Sequence, residues 1–272
     1  MGNQELHLAI ASGRPFLAGR FGSVELESLE LHLRAENGHG YYSDKLKTDM
    51  SNNAGFFPTD ARSLDAFGEE YGRATASLDF LGVWFNPYED LAVRKLCPKA
   101  TLIPLRALEP YYFDSPWSAA LEGKRVLVIH PFADSIQMLY REARAELFRN
   151  PRVLPSFQLM TLKAVQSHAG AVSGFATWFE ALSHMKGRMA ALSFDVCIVG
   201  AGAYGLPLAS YGKSLGKQAI HMGGATQVLF GIIGRRWEQH PIIKTLINSA
   251  WRRPLPEETP PAALSVEDGC YW

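Results

Sequence analysis

Residues 199–205, VGAGAYG, place three glycines at the spacing G-x-G-x-x-G. The segment follows a short apolar run and opens an amphipathic stretch, so a strand is expected to turn into a helix here. Such a turn directs backbone N–H groups and a helix N-terminus toward an anion, which suits a diphosphate. The predicted phosphate contacts are Gly200, Gly202, Tyr204 and Gly205. The competing interpretation is that these glycines only permit a tight turn and close helix packing.

The same glycine motif also occurs in enzymes that bind a dinucleotide. Those enzymes need an acidic residue about 20 residues further on to bind the ribose hydroxyls. Here no Asp or Glu occurs between Gly205 and Glu238. An NAD(P)-dependent oxidoreductase therefore remains an alternative that the glycine spacing alone supports.

Similar glycine turns recur at residues 19–23, 221–227 and 230–237, and the sequence His130-Pro131-Phe132 follows another apolar run. In an open parallel sheet the carboxyl ends of the strands share one edge, where ligands bind. We therefore expect these turns to converge there. Besides the residues of the first motif, the predicted ligand contacts in them are Arg20, Phe21, Gly22, Ser23, His221, Gly223, Gly224 and Gln227.

Four titratable side chains in or beside these turns could carry chemistry. Glu25 is a candidate base or metal ligand, although an acid in the first turn of a helix is also stabilised by the helix dipole. Asp134 is an alternative base or a simple helix N-cap. His130 and His221 could contact phosphate or accept a proton near neutral pH, or could be structural. Arg20 could bind phosphate through its planar guanidinium or form a surface ion pair.

Short apolar runs alternate with longer amphipathic ones along the chain, which predicts parallel strands joined by helices. The expected fold is an α/β domain of residues 1–253, with an open, mostly parallel, Rossmann-like sheet and helices on both faces. The predicted strands are 15–18, 80–84, 100–103, 125–130, 194–199 and 217–221. The predicted helices are 24–33, 59–76, 89–96, 134–148, 174–189 and one from 204. The Pro-rich tail, residues 254–272, is expected to pack back on the domain through Tyr271 and Trp272.

Composition excludes several classes of protein. Lysines and arginines number 27 and acids number 27, so no global positive field favours nucleic acid. The three cysteines are far apart, the N-terminal sequence lacks the pattern of a secretory signal, and no apolar run is long enough for a transmembrane segment. We expect a cytoplasmic protein, at most peripheral at the inner membrane face.

Several segments resemble the bacterial glycosyltransferases of the GT-D fold. They are residues 20–25 (RFGSVE), 53–58 (NAGFFP), 126–132 (VLVIHPF), the long block 194–237, and the tail pieces 251–254 and 266–272. The resemblance implies hexosyl transfer from a nucleotide diphosphate sugar, with a UDP-sugar as the first expectation, in polysaccharide biosynthesis. The acceptor would be a glycan or a lipid-linked phosphate, which the basic residues Arg235, Arg236 and Lys244 could meet. A homodimer is compatible with this family. Asn53 joins the predicted ligand contacts.

The family has an Asp-x-Glu motif in its first turn, near the diphosphate and a divalent metal. The matching residues are Ser23, Val24 and Glu25, so the glutamate is present and the aspartate is absent. Glu25 is then the single predicted ligand of Mg²⁺ or Mn²⁺, and Arg20 could replace part of the missing metal charge. The missing aspartate also leaves open a non-catalytic protein that binds a nucleotide sugar and acts as a scaffold in polysaccharide assembly.

Overall fold

A computed structural model describes residues 1–35, 41–167 and 173–272. Its described residues form a seven-stranded sheet with the strand order β3-β2-β1-β7-β6-β4-β5, and every pair of neighbours is parallel. The predicted fold class, an open parallel α/β sheet, is therefore confirmed.

The elements alternate along the chain as βα units. The strands are Phe16–Gly19 (β1), Phe80–Val83 (β2), Thr101–Pro104 (β3), Arg125–His130 (β4), Gln158–Lys163 (β5), Val196–Val199 (β6) and Gln218–His221 (β7). The α-helices are Gly2–Ala11 (α1), Ser23–Arg34 (α2), Asp44–Asn52 (α3), Ala61–Ala76 (α4), Glu89–Leu96 (α5), Ala133–Ala143 (α6), Trp178–Ala190 (α7), Gly205–Ser214 (α8), Ala225–Leu229 (α9) and Arg235–Glu238 (α10). Short 3₁₀ turns occupy much of the remaining chain, including the tail.

The central strands are buried on both faces, as parallel strands between two helix layers must be. In β4, Leu127 and Ile129 point into one core, while Val126 and Val128 point into the other. The first core is covered by α2, α4, α7 and α8, and the second by α1, α6 and α9. This two-sided burial explains why the sequences of β4 and β6 are continuously apolar.

Five elements were absent from the sequence prediction: α1, α3, α9, α10 and β5. Strand β5 is an edge strand whose residues are mostly exposed or half-buried, so its sequence, QLMTLK, lacks the apolar run of the central strands. Helix α6 ends at Ala143 rather than at residue 148, and α7 begins at Trp178 rather than at residue 174. Asp60 caps helix α4, because its side chain accepts the Ser63 N–H at 3.0 Å.

Asp134 does not cap helix α6, so the N-cap interpretation of this residue is wrong. Asp134 and Ser135 both lie inside the helix, and the residue before it, Phe132, makes no side-chain cap. The backbone N–H groups of Asp134 and Ser135 donate instead to the carboxylate of Glu258, at 2.9 and 3.3 Å. A residue more than a hundred positions away in sequence therefore supplies the cap.

The strand order creates crevices at the carboxyl edge of the sheet, and two of them lie on either side of the pair β7–β6. Strand β1 continues into α2 on one face, whereas its neighbour β7 continues into α9 on the opposite face. Likewise β6 continues into α8 and its neighbour β4 into α6, again on opposite faces. Ligands of open α/β sheets bind where adjacent connections diverge in this way.

No helix in the described ranges combines the length and the apolar character needed to cross a bilayer. Cys97, Cys197 and Cys270 are buried thiols.

Candidate functional site

A cavity of about 400 Å³ lies at the carboxyl edge of the sheet and joins both crevices. This volume is within the usual range for a small-molecule site. The turns after β1, β2, β4, β6 and β7 all contribute to its wall, so the predicted convergence of these turns is present. The predicted residues that line it are Arg20, Gly22, Ser23, Glu25, Asn53, His130, Gly200, Gly202, His221, Gly223 and Gly224.

Four predicted ligand contacts lie in the core instead of the cavity wall. Phe21 and Tyr204 are fully buried, and the Tyr204 ring stacks on Trp178 with the centroids 5.1 Å apart. Gly205 faces the imidazole of His221, which leaves no space for a ligand. Gln227 is also fully buried, and its amide donates to the carbonyls of Ile232 and Tyr271 at 3.3 Å. These residues support the cavity wall through packing in the core and do not contact a ligand.

Asp134, the alternative base, does not line the cavity. Its carboxylate is exposed and forms an ion pair with Lys163 at 2.9 Å. Asp134 follows β4, but the first turn of α6 directs its side chain toward β5.

Arg20 follows β1 and lies beside the turn after β7. Its Nε donates to its neighbour's carbonyl, Phe21 O, at 2.9 Å, and its guanidinium carbon lies 4.7 Å from the centroid of the Trp84 ring. A Cβ on Gly223, whose φ is +60°, would be 3.6 Å from Arg20 Nη1. The guanidinium is thus oriented by one aromatic ring and lies next to a backbone turn that only glycine adopts easily.

Glu89 positions Trp84 under this guanidinium. Its side chain is 4% exposed, and Oε2 accepts the backbone N–H groups of Trp84 at 3.3 Å and Asn86 at 3.2 Å. Burial raises the pKa of Glu89, while these hydrogen bonds and the Arg20 charge oppose the rise. The loop between β2 and α5 also contains two non-glycine residues with positive φ, Phe85 and Tyr88. One buried carboxylate therefore stabilises a strained loop at the cavity wall.

Glu25 is the third residue of α2, and its carboxylate folds back against Gly22 at the helix N-cap. A side chain on Gly22 would overlap that carboxylate. This is the geometry of a helix-terminal acid near the positive end of the dipole. Glu25 also lines the cavity, so the structural and the chemical interpretations apply to the same side chain.

The glycines of the turns allow the turns to pack on one another. A Cβ on Gly200 would lie 2.6 Å from Thr226 Oγ1 and 2.9 Å from a ring carbon of His130. A Cβ on Gly224 would lie 2.8 Å from the ring of Tyr271. Because such contacts are shorter than real carbon contacts allow, side chains here would push the turns apart. Close packing of turns is therefore one reason for the glycine pattern.

His221 is a neutral imidazole at pH 7. Burial, assisted by the positive charge of Arg20, lowers its pKa to about 3. Its Nδ1 lies 3.2 Å from the carbonyl oxygen of Val199, which suits an N–H donor at that nitrogen. A histidine with this pKa neither adds positive charge to an anion site nor accepts a proton near neutral pH.

His130 differs from His221 in the hydrogen bond that its Nδ1 makes. Its Nδ1 accepts the backbone N–H of Phe132 at 3.0 Å. The proton of the neutral ring is therefore on Nε2. In this tautomer His130 is suited to donate a hydrogen bond rather than to accept a proton.

Sequence reasoning did not place Trp84 or Gln166 in the site, although both line the cavity. Trp84 ends the predicted strand 80–84, and an aromatic residue at the carboxyl end of a strand could have indicated a ligand contact. Gln166 follows β5, which had no signal in the sequence. Arg236, Tyr271 and Trp272 also line the cavity, and the guanidinium carbon of Arg236 lies 5.0 Å from the Tyr271 ring centroid.

The cavity does not supply the ligand set of a resident divalent cation. Within the described ranges, no group of three or more His, Cys, Asp or Glu could hold a metal ion, and Glu25 is the one acidic residue among those that line the cavity. Mg²⁺ and Mn²⁺ prefer several oxygen ligands, whereas here a single carboxylate shares the wall with two arginines. The metal role of Glu25 stays a prediction.

No protein-family model, curated protein or solved structure matched this chain in the three comparisons with known proteins.

Proposed function

We propose that this protein is a glycosyltransferase that moves a sugar from a nucleoside diphosphate sugar to a hydroxyl group of a glycan acceptor. A UDP-sugar is the first donor to test. The proposal combines the resemblance of the sequence to GT-D enzymes with the chemistry of the cavity. It is carried by one observation, namely that two arginines stacked on aromatic rings line a single cavity at the carboxyl edge of a parallel sheet.

The charge in the cavity favours an anionic ligand. Among its described lining residues, Arg20 and Arg236 are cationic and Glu25 is anionic, while His221 is neutral. A guanidinium presents a planar fork of donors that matches a phosphate group. Gly223 and Gly224 are half-buried and Gly223 lies beside Arg20, so the amides of this turn could add backbone donors.

Aromatic and amide side chains in the same wall support recognition of the rest of a nucleotide sugar. Trp84, Phe132, Tyr271 and Trp272 offer ring faces or edges to a base or a sugar. Asn53 and Gln166 offer carboxamides that can pair with base edges or sugar hydroxyls.

In the proposed transfer, the bond between the anomeric carbon and the diphosphate oxygen breaks. The leaving diphosphate keeps that electron pair, and the guanidinium groups stabilise its charge. A bond forms between the anomeric carbon and the acceptor oxygen. The acceptor hydroxyl proton passes to the Glu25 carboxylate, and His130 donates a hydrogen bond from Nε2 to a ligand oxygen.

The dinucleotide interpretation has less support. Strand β7, which follows the glycine motif, ends at His221 and is followed by Met222 and Gly223 rather than by an acid. Gly200 and Gly205 are in close contact with side chains of neighbouring turns.

Calorimetry with UDP, GDP and NADH tests the binding step directly. We expect micromolar to low-millimolar binding of one nucleoside diphosphate and no binding of NADH. Release of UDP from UDP-sugars, measured with Mg²⁺, with Mn²⁺ and with a chelator, then tests turnover. Binding without release across the donors would favour the scaffold alternative, and absence of any nucleotide binding would contradict the proposal.

A further inference from the structure

Residues 254–272, which we call the strap, run along the cavity side of the domain. Glu258, Val266 and Cys270 of the strap are buried, and Tyr271 and Trp272 line the cavity. The strap is therefore part of the cavity wall.

We infer that the strap is a fixed wall of the ligand site and that Glu258 is the positioning residue that holds it there. The inference rests on the proposed function for the identity of the ligand. It also assigns the diphosphate to the crevice between β1 and β7, where Arg20 lies, because a carboxylate of the chain itself already occupies the N-terminus of α6.

Glu258 fills the anion position at the N-terminus of α6. Its fully buried carboxylate accepts the backbone N–H groups of Asp134 and Ser135, and it accepts the Ser135 hydroxyl in a short hydrogen bond. The same Ser135 Oγ accepts the backbone N–H of Leu255 at 2.9 Å. In other α/β folds the N-terminus of the helix after a strand binds a ligand phosphate. Here a side-chain carboxylate occupies that position.

The backbone at Glu258 connects this interaction to the cavity. Its carbonyl oxygen accepts Trp272 Nε1 at 3.0 Å and Gln166 Nε2 at 3.3 Å, and both of those residues line the cavity. The Trp272 ring also meets Phe132 edge-on, with the centroids 6.0 Å apart. A shift of Glu258 would therefore move two side chains of the site.

The other end of the strap is held by α10. The N–H groups of Arg235 and Arg236 donate to the carbonyls of Trp272 and Cys270, at 3.2 and 3.1 Å. Gly234 permits this approach, since a Cβ there would lie 2.8 Å from the carbonyl oxygens of Cys270 and Tyr271. The strap thus completes hydrogen bonding at the N-termini of two helices while it presents aromatic rings to the cavity.

The test compares Glu258→Ala, Glu258→Gln and the control Glu257→Gln, which removes a neighbouring exposed carboxylate. Hydrogen exchange of the full-length protein without ligand is measured first. For Glu258→Ala we expect amides of the strap and of Asp134 and Ser135 to exchange at least about tenfold faster. Glu258→Gln should lie between Ala and wild type because its amide oxygen still accepts hydrogen bonds, and the control should match wild type. Unchanged exchange in Glu258→Ala would overturn the role of Glu258.

The affinity for UDP is then measured by calorimetry, with Trp272→Leu as a variant that keeps Glu258. We expect the Kd for UDP to rise about three- to tenfold in Glu258→Ala and in Trp272→Leu, with strap exchange near α6 unchanged in the latter. Faster exchange of the strap in Glu258→Ala with an unchanged Kd for UDP would overturn the role of the strap as a wall of the ligand site. If wild type binds neither UDP nor GDP, the proposed function is contradicted, and the exchange data alone then decide the role of Glu258 in holding the strap.

Discussion

Two sides of the cavity present the same chemical unit, a guanidinium over an aromatic ring, but they are built differently. Arg20 and Trp84 come from the ends of two adjacent strands, and Glu89, close in sequence, holds the Trp84 loop. Arg236 and Tyr271 come from a four-residue helix and from the strap. The first side depends on the sheet, and the second depends on long-range contacts such as that of Glu258. We therefore expect Arg20, on the first side, to contribute more to the affinity for phosphate than Arg236 on the second side.

Replacement of Arg20 should give the largest effect on binding. Loss of charge-assisted hydrogen bonds to phosphate costs about 1.5–3 kcal/mol, so Arg20→Ala should raise the Kd for UDP roughly 10- to 100-fold. The control is Arg14→Ala, which removes the same charge just before β1, at the opposite edge of the sheet. Calorimetry of both variants measures the difference. Equal affinities would place the diphosphate elsewhere.

The low pKa of the buried His221, on the side of the cavity that Arg20 and Trp84 form, should make the stability of the protein depend on pH. The folded pKa of His221 is about 3, below the ordinary value, so the unfolded chain binds the proton more tightly. Stability is therefore complete above about pH 6.5 and falls as pH decreases, by up to about 1.4 kcal/mol per pH unit from this group. Urea unfolding of wild type and of His221→Gln between pH 7 and 4 measures the slope. The variant should lose part of it, whereas the exposed control His184→Gln should keep it.

Replacement of Arg236 should weaken UDP binding less than replacement of Arg20. Arg236 is exposed, and its stacking on Tyr271 is worth about 0.5–1 kcal/mol at such a site. We expect a two- to fivefold rise in Kd for Arg236→Ala and none for Arg188→Ala, an exposed arginine at the end of α7. A loss larger than that of Arg20→Ala would reverse the ranking of the two sides.

Replacement of Glu89 should have the smallest effect, and it should stabilise the protein rather than weaken it. Burial raises the pKa of its carboxyl, so the ionised form is disfavoured by its surroundings at pH 7. Glu89→Gln keeps an oxygen that accepts the backbone N–H groups and should increase the free energy of unfolding by less than about 1 kcal/mol. Chemical denaturation at pH 7 measures the change. A clear destabilisation would show that the charge itself is needed beside Arg20.

Local sequence patterns predicted the sheet and the glycine turns of the site, because these features depend on residues that are close together in the sequence. The apolar runs of β4 and β6 and the glycine turns after β1 and β7 are of this kind. Asp134 lies outside the cavity wall because the direction of its side chain depends on Lys163 of β5, a strand without a clear signal. The cap of α6 was missed because Glu258 is far away in sequence. Tyr204 follows a glycine pair, but packing against Trp178 places it in the core.

The most direct test is a crystal structure of the protein with bound UDP. The account predicts that the diphosphate lies within hydrogen-bond distance of the Arg20 guanidinium and the Gly223–Gly224 turn, with Glu258 still on the N-terminus of α6. A diphosphate bound at α6 in place of Glu258, or outside the cavity, would contradict it.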